Sequence, residues 1–243
     1  HIDMGNEPDT IIGEATGTNS YGISGGKIYM SYGEDILTGK AEGTNSYGIF
    51  ESHIDMGNEP DTIIGEATGT DSYGIFGSHI NMSYGNDRVE ASSFGGTGEA
   101  SGKNSYGISE SYIDMGHGWD TLIGEASGTD SYGIFGSDIY MGYGDDRLEA
   151  SSFGGDVNIF MGYGNDFVEG FGDAEIIGGE GYDTLSLGSY NIKQFDNISF
   201  GNGNNQVIFE LDGMTMNTEN FEEFIFGNGN NYLTYYDLQD FLG

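Results

Sequence analysis

The eighteen residues His1 to Thr18, HIDMGNEPDTIIGEATGT, return unchanged as His53 to Thr70. A chain that repeats itself in short units is constrained more by that period than by any single motif, because each unit must stack on its neighbours to bury an apolar face. Taking the methionine of each unit as a marker puts the units at Met4, Met30, Met56, Met82, Met115, Met141 and Met161, with Gly178 in the eighth place. The spacings are 26, 26, 26, 33, 26, 20 and 17 residues. The unit is therefore 26 residues, one unit carries a seven-residue insertion, and the last units shorten. Two flavours alternate, MGNEPDTIIG or MGHGWDTLIG and MSYGNDRVEA or MGYGDDRLEA, which produces the longer identity.

Within a unit, short pieces alternate between apolar and polar residues and are separated by Gly, Asn and Asp, which signals strands and turns. Stacked units should place like residues in columns, and three columns are apolar. Ile11, Leu37, Ile63, Val89, Leu122, Leu148, Val168 and Leu185 form the first. The isoleucines two places before each marker, Ile2 to Ile159, form the second, and Ile23, Ile49, Ile75, Ile108 and Ile134 of the SYGI segments form the third. The expected fold is all-β: a right-handed parallel β-solenoid or β-roll of about eight coils. At about 4.8 Å per coil it would extend roughly 40 Å. Two or three strands per coil both remain open, and 26 residues suit three short ones. Residues 1–188 form the repeat array and 189–243 a C-terminal cap.

Composition removes several classes of function. Forty acidic residues face six basic ones, for a net charge of −34. Phosphate binding needs a basic face, so no nucleic acid is expected as a partner. No apolar run approaches the length of a membrane span, so no membrane insertion is expected. The chain has no cysteine, which excludes disulfides and thiolate metal sites. The first residues open inside a repeat with no signal peptide, which predicts a piece of a longer chain. No nucleophile elbow, phosphate loop or Ser-His-Asp grouping stands outside the repeat, so no enzyme is expected.

The acidic turns carry the chemistry. Asp9, Asp35, Asp61, Asp87, Asp120, Asp146, Asp166 and Asp183 fall in one column. At about 5 Å and an effective dielectric of 20, neighbouring bare carboxylates repel by roughly 3 kcal/mol. Summed over the column, this rivals the ~5–15 kcal/mol stability of a whole domain. A cation between successive turns reverses the sign. Carboxylates and main-chain carbonyls are hard oxygen ligands in a flexible loop and favour Ca²⁺ over Mg²⁺, whereas zinc would want His or Cys. An Asp in a Gly-rich turn is ordinarily a turn residue in water. Eight in register beside an apolar column ask for more.

These turns carry a resemblance. GGEGYDTLS, Gly178 to Ser186, is similar to the nonapeptide Gly-Gly-x-Gly-x-Asp-x-apolar-x of the RTX, or haemolysin-type, calcium-binding proteins. MGYGNDFVE and MGYGDDRLE match it with Met for the first glycine. The resemblance implies a β-roll in which several calcium ions are shared by successive turns through these eight aspartates and main-chain carbonyls. RTX rolls use two such motifs per coil. Here the opposite turn is GTNS or GTDS, so calcium is not expected there except near Gly170 to Asp173. Glu7 and Glu59 replace a turn glycine and are expected to alter or supplement their sites.

QVIFELDGMTM, from Gln206, reads as a hairpin around Asp212-Gly213. LTYYDLQDFLG reads as a final helix with Thr234 as N-cap and Asp237 in the capping-box position. NFEEFIFGNGN is similar to segments that follow RTX arrays in type I secreted proteins, where the C-terminus is also the export signal. Asn205 and Asn231 stand where aspartates would in two degenerate turns and are expected to be structural. His53 and His79 fall in one column with Lys27, Tyr112 and Asp138, which reads as a surface face and not a zinc pair.

The expected function is a calcium-binding structural repeat domain of a large secreted or cell-surface bacterial protein, of adhesin, sheath, fibril or surface-layer type, folding on extracellular calcium. Seven calcium ions would bring the net charge from −34 to −20, and further calcium could bridge copies laterally in a homo-assembly. One alternative is the folding and secretion module of an extracellular enzyme. Another is an ice-binding solenoid using Thr18, Thr44, Thr70 and Thr129, a ladder that Lys103 interrupts.

Overall fold

The structure, a computed structural model, describes residues 1–94, 104–227, 229 and 231–242. Lys103 and most of the seven-residue insertion lie outside the described residues. Each early coil contains three strands. In the second coil these are Lys27–Ser31, Ile36–Glu42 and Tyr47–Phe50; in the third, His53–Asp55, Thr62–Thr68 and Tyr73–Phe76. Each strand pairs in parallel with its equivalent one coil away: Ile28 with Ile54, Leu37 with Ile63, Ile49 with Ile75. The chain is a parallel β-solenoid.

The three corners of a coil have different chemistry. The first strand leads to the second through the acidic turn. The second leads to the third through GTNS or GTDS, where Asn19, Asn45, Asp71, Asn104 and Asp130 take φ between 53 and 60°. The third corner is a single left-handed residue, Gly25, Glu51, Gly77, Glu110 or Gly136, followed from the second coil onward by a serine. Ser52, Ser78, Ser111 and Ser137 are buried there. Each of the last three takes the main-chain N–H of the preceding serine on Oγ, at 3.2, 3.2 and 3.1 Å.

In the shortened repeats the strands on either side of the third corner join, as Phe153–Tyr163, which still turns at Gly155 (φ 68°), and as Gly172–Glu180; in the first of them the second corner shrinks to Ser151 and Ser152. Spacings of 20 and 17 residues therefore mark two-strand coils. The three apolar columns point inward: from Ile28 to Leu185 their members are at most 2% exposed, and the marker methionines Met30 to Met161 fill a fourth inner file.

The cap adds one parallel strand to each sheet and then turns both antiparallel. Met214–Glu219 pairs with Gly172–Glu180 and, antiparallel, with Val207–Leu211. Glu223–Phe226 pairs with Thr184–Ser186 and, antiparallel, with Asn231–Thr234. Asp212 and Gly213, with φ of 52 and 81°, make the expected hairpin turn. Phe209, Phe221, Phe224 and Phe226 are buried beneath it. In the helix Tyr235–Leu242, Asp237 N–H donates to Thr234 Oγ1 (3.2 Å) and Thr234 N–H donates to Asp237 Oδ2 (3.1 Å), which closes the capping box.

Candidate metal centre

The stacking register puts the turn aspartates directly over one another, and they point inward. Asp35, Asp61, Asp87, Asp120, Asp146, Asp166 and Asp183 are each at most 2% exposed. In each, Oδ1 accepts the main-chain N–H of the aspartate one coil earlier. Asp9 N–H donates to Asp35 (2.7 Å), Asp35 to Asp61, Asp61 to Asp87, Asp87 to Asp120, Asp120 to Asp146 and Asp146 to Asp166 (2.8 Å each), and Asp166 to Asp183 (2.9 Å). The second carboxylate oxygen behaves differently. Oδ2 of all seven is buried with no hydrogen-bond partner. An unpartnered buried oxygen is costly, and a charged one more so.

Burial is the main reason these carboxyls resist ionisation. It pushes Asp61 and Asp146 up to about 8, Asp87, Asp120 and Asp183 to about 7 and Asp166 to about 6, against an ordinary 3.8, and it raises Asp35 as well. The N–H bond to each opposes the rise, and neighbouring carboxylates such as Asp87 and Asp35 beside Asp61 add a smaller one. Mutual repulsion, the effect expected to lead, comes behind desolvation because the column lies inside the wall. Asp9 differs from the other seven. It is half-buried at the first coil, and its carboxylate has no earlier aspartate N–H to accept.

The glycines of the turns leave room that other oxygens occupy. At Gly118 and Gly144, with φ of 156 and 140°, a Cβ would lie 1.4 Å from the carbonyl oxygen of the turn before, that of Gly85 or Gly118. At Gly118 the same point is 2.9 Å from Asp120 Oδ1. Main-chain and aspartate oxygens thus share the space that an alanine would fill. Among the described residues no three His, Cys, Asp or Glu converge on one point. The available donors are single carboxylates with carbonyls, a hard-oxygen set that fits a Ca²⁺-type cation and not zinc. The residues that would hold it are the seven buried aspartates through Oδ2 and the turn carbonyls.

At the Glu59 turn, Oε2 accepts the N–H of Gly33, one coil earlier, at 3.1 Å, from a left-handed backbone at φ 73°. A second, exposed ladder runs beside the first with reversed polarity. Asn86, Asp145 and Asn165 each accept, on Oδ1, the N–H of the residue one coil later, at 2.9, 2.8 and 3.0 Å. The opposite corner is built differently. There Asn45 Nδ2 donates to Asn19 Oδ1 (2.8 Å), and the Ser46 and Ser72 hydroxyls donate to carbonyls. Asp173, in the second two-strand coil, meets the cap, its Oδ1 accepting Thr215 N–H at 2.7 Å.

The aromatic columns stack face to face. Tyr21, Tyr47, Tyr73 and Tyr106 follow at 5.2, 4.8 and 5.1 Å, and Tyr84, His117, Tyr143 and Tyr163 at 4.7, 4.4 and 4.8 Å. Inside each stack the faces are used by neighbouring rings. His53 and His79 also stack, 4.9 Å apart, within the column expected for them.

One member of the acidic column is invisible to the repeat pattern. Glu222 Oε2 accepts Asp183 N–H at 2.9 Å, in the same way that each aspartate serves its predecessor. Its distance of 39 residues from Asp183 breaks the period, and the turn glycines are missing around it, so only the fold exposes it.

Together these features define a class, a parallel β-solenoid with one buried acidic edge and an antiparallel cap. No known family model matches the sequence, and no curated protein matches it.

Proposed function

We propose that this chain is a calcium-stabilised structural repeat domain of a secreted or cell-surface protein, which folds where calcium is plentiful. The observation that carries the reading is the file of seven buried aspartates, each with one oxygen bonded to the next rung and one oxygen unmet. At neutral pH such oxygens need a proton or a cation. The hard-oxygen surroundings, the net charge of −34 and the resemblance of Gly178 to Ser186 to RTX nonapeptides all favour calcium. If about seven sites were each tenfold above their dissociation constant, linkage would add ~1.4 kcal/mol per site, about 10 in total. That is comparable with the whole stability of a domain. Extracellular calcium modules bind at about 10⁻⁴–10⁻³ M, which ties folding to the outside of the cell.

Among the described residues no helix is long and apolar enough to cross a membrane. The outer face of the middle-strand sheet carries ion pairs, Lys40–Glu66 at 2.7 Å, Arg88–Glu90 and Arg147–Glu149. The test is far-UV circular dichroism at about pH 7.5, near physiological, in millimolar calcium and after EGTA. Loss of the strand signal on chelation is expected; an unchanged signal would contradict the reading.

A further inference from the structure

The repeats account for Asp9 to Asp183, and the column should stop where the repeat stops. It does not. Glu223 of the cap pairs with Thr184, so Glu222 stands at the position of Asp183 one coil on. The contact is reciprocal: Asp183 N–H donates to Glu222 Oε2 at 2.9 Å, and Glu222 N–H donates to Asp183 O at 3.0 Å. Beside them, Asn220 turns its backbone into the left-handed region at φ 57°. The space that a Cβ on Gly178 would fill lies 2.3 Å from the carbonyl oxygen of Asn220 and 2.7 Å from Asp183 Oδ2. That Oδ2 is wholly buried and has no hydrogen-bond partner. The other oxygen of Glu222, Oε1, accepts a long contact of 3.4 Å from Asn205 Nδ2. Turning that amide over would offer an oxygen in place of the nitrogen.

We propose that the cap closes the array with a cation site of its own, built from Asp183 Oδ2, the main-chain oxygen of Asn220 and the carboxylate of Glu222. It shares Asp183 Oδ2 with the last repeat site and differs from the repeat sites in taking a glutamate and a main-chain oxygen from a segment outside the period. It rests on the calcium reading of the repeats, and it assigns the end of the column to the cap instead of leaving the last rung open. Through this site the cap would be held to the final coil by a cation as well as by strand pairing.

The test is a count of bound calcium by equilibrium dialysis for the unaltered chain and for Glu222→Gln. The glutamine oxygen can still accept Asp183 N–H, so the ladder bond is kept while the charge is removed. The variant is expected to bind one calcium fewer. An equal count would overturn the proposal and leave the repeat sites standing, whereas no calcium on the unaltered chain would overturn both. Should the variant not fold, anomalous scattering from crystals of the unaltered chain in calcium decides. A peak touching Asp183 and Glu222 supports the site, and peaks in the repeats with none there overturn it.

Discussion

At the scale of single residues, a buried carboxylate with one satisfied oxygen is a choice between proton and cation, and the two have opposite pH dependence. Asp61, Asp87, Asp120, Asp146, Asp166 and Asp183 have folded-state values raised to between about 6 and about 8, above the 3.8 of an ordinary aspartate. Without metal, their contribution to stability is therefore full below about pH 3.8 and is lost as pH rises through about 6 to 8. Each tenfold change in proton affinity corresponds to about 1.4 kcal/mol, so a tenfold change at each of these six carboxyls already amounts to ~8 kcal/mol. In EGTA the chain should hold its fold better at about pH 5 than at about pH 8, and calcium should remove the difference; thermal melts at both pH values check this. Asp146→Asn isolates one rung. The amide oxygen can still take Asp120 N–H, but the charge is gone. The variant should keep more strand signal than the parent in EGTA at about pH 8 and be less stable in calcium, by about 1.4 kcal/mol or more for one lost site. A shift of the same sign in both buffers would show that the carboxylate is a turn residue and nothing else.

At the scale of elements, the strands are legible because stacking leaves its mark on every unit. The isoleucines two before each methionine and the apolar residues two after each aspartate fix the first two strands. The SYGI isoleucines fix the third. The corner between third and first strand is also regular in sequence, since Ser52, Ser78, Ser111 and Ser137 repeat in four successive coils. Yet a small polar residue in a Gly-rich stretch passes for solvent-exposed loop until its burial is seen. Its role is to receive one main-chain N–H per coil, so Ser78→Ala should cost about 1–3 kcal/mol through the orphaned N–H of Ser52. Denaturant unfolding in saturating calcium reads this, and the calcium count should be unchanged. The burial of the aspartates is equally illegible, because a sequence gives their column but not the side of the wall they face. Glu222 is out of reach for the opposite reason: it belongs to the column in space and not to the period.

At the scale of the whole molecule, the solenoid is a stack of like coils closed by the cap. There the two sheets are turned antiparallel, which ends parallel growth. Contacts in such a stack are almost all between neighbouring coils, so stability should be close to a sum over coils and interfaces. Cooperative folding then depends on every interface being sound. Gly144→Ala puts a Cβ 1.4 Å from the Gly118 carbonyl oxygen and breaks one interface near the middle of the stack. It should broaden the calcium titration followed by circular dichroism relative to the unaltered chain, as the two halves uncouple; an equally steep titration would show that the coils do not communicate through that turn.

On the proposed function, a cation meets the unpartnered oxygen of each buried aspartate and holds the acidic edge together. Crystals grown in calcium and measured for anomalous scattering test this most directly. A file of peaks along the acidic edge is expected, each about 2.3–2.6 Å from an Oδ2 atom between Asp35 and Asp183. A map in which these carboxylates are well ordered, buried and without an ion beside them would contradict it.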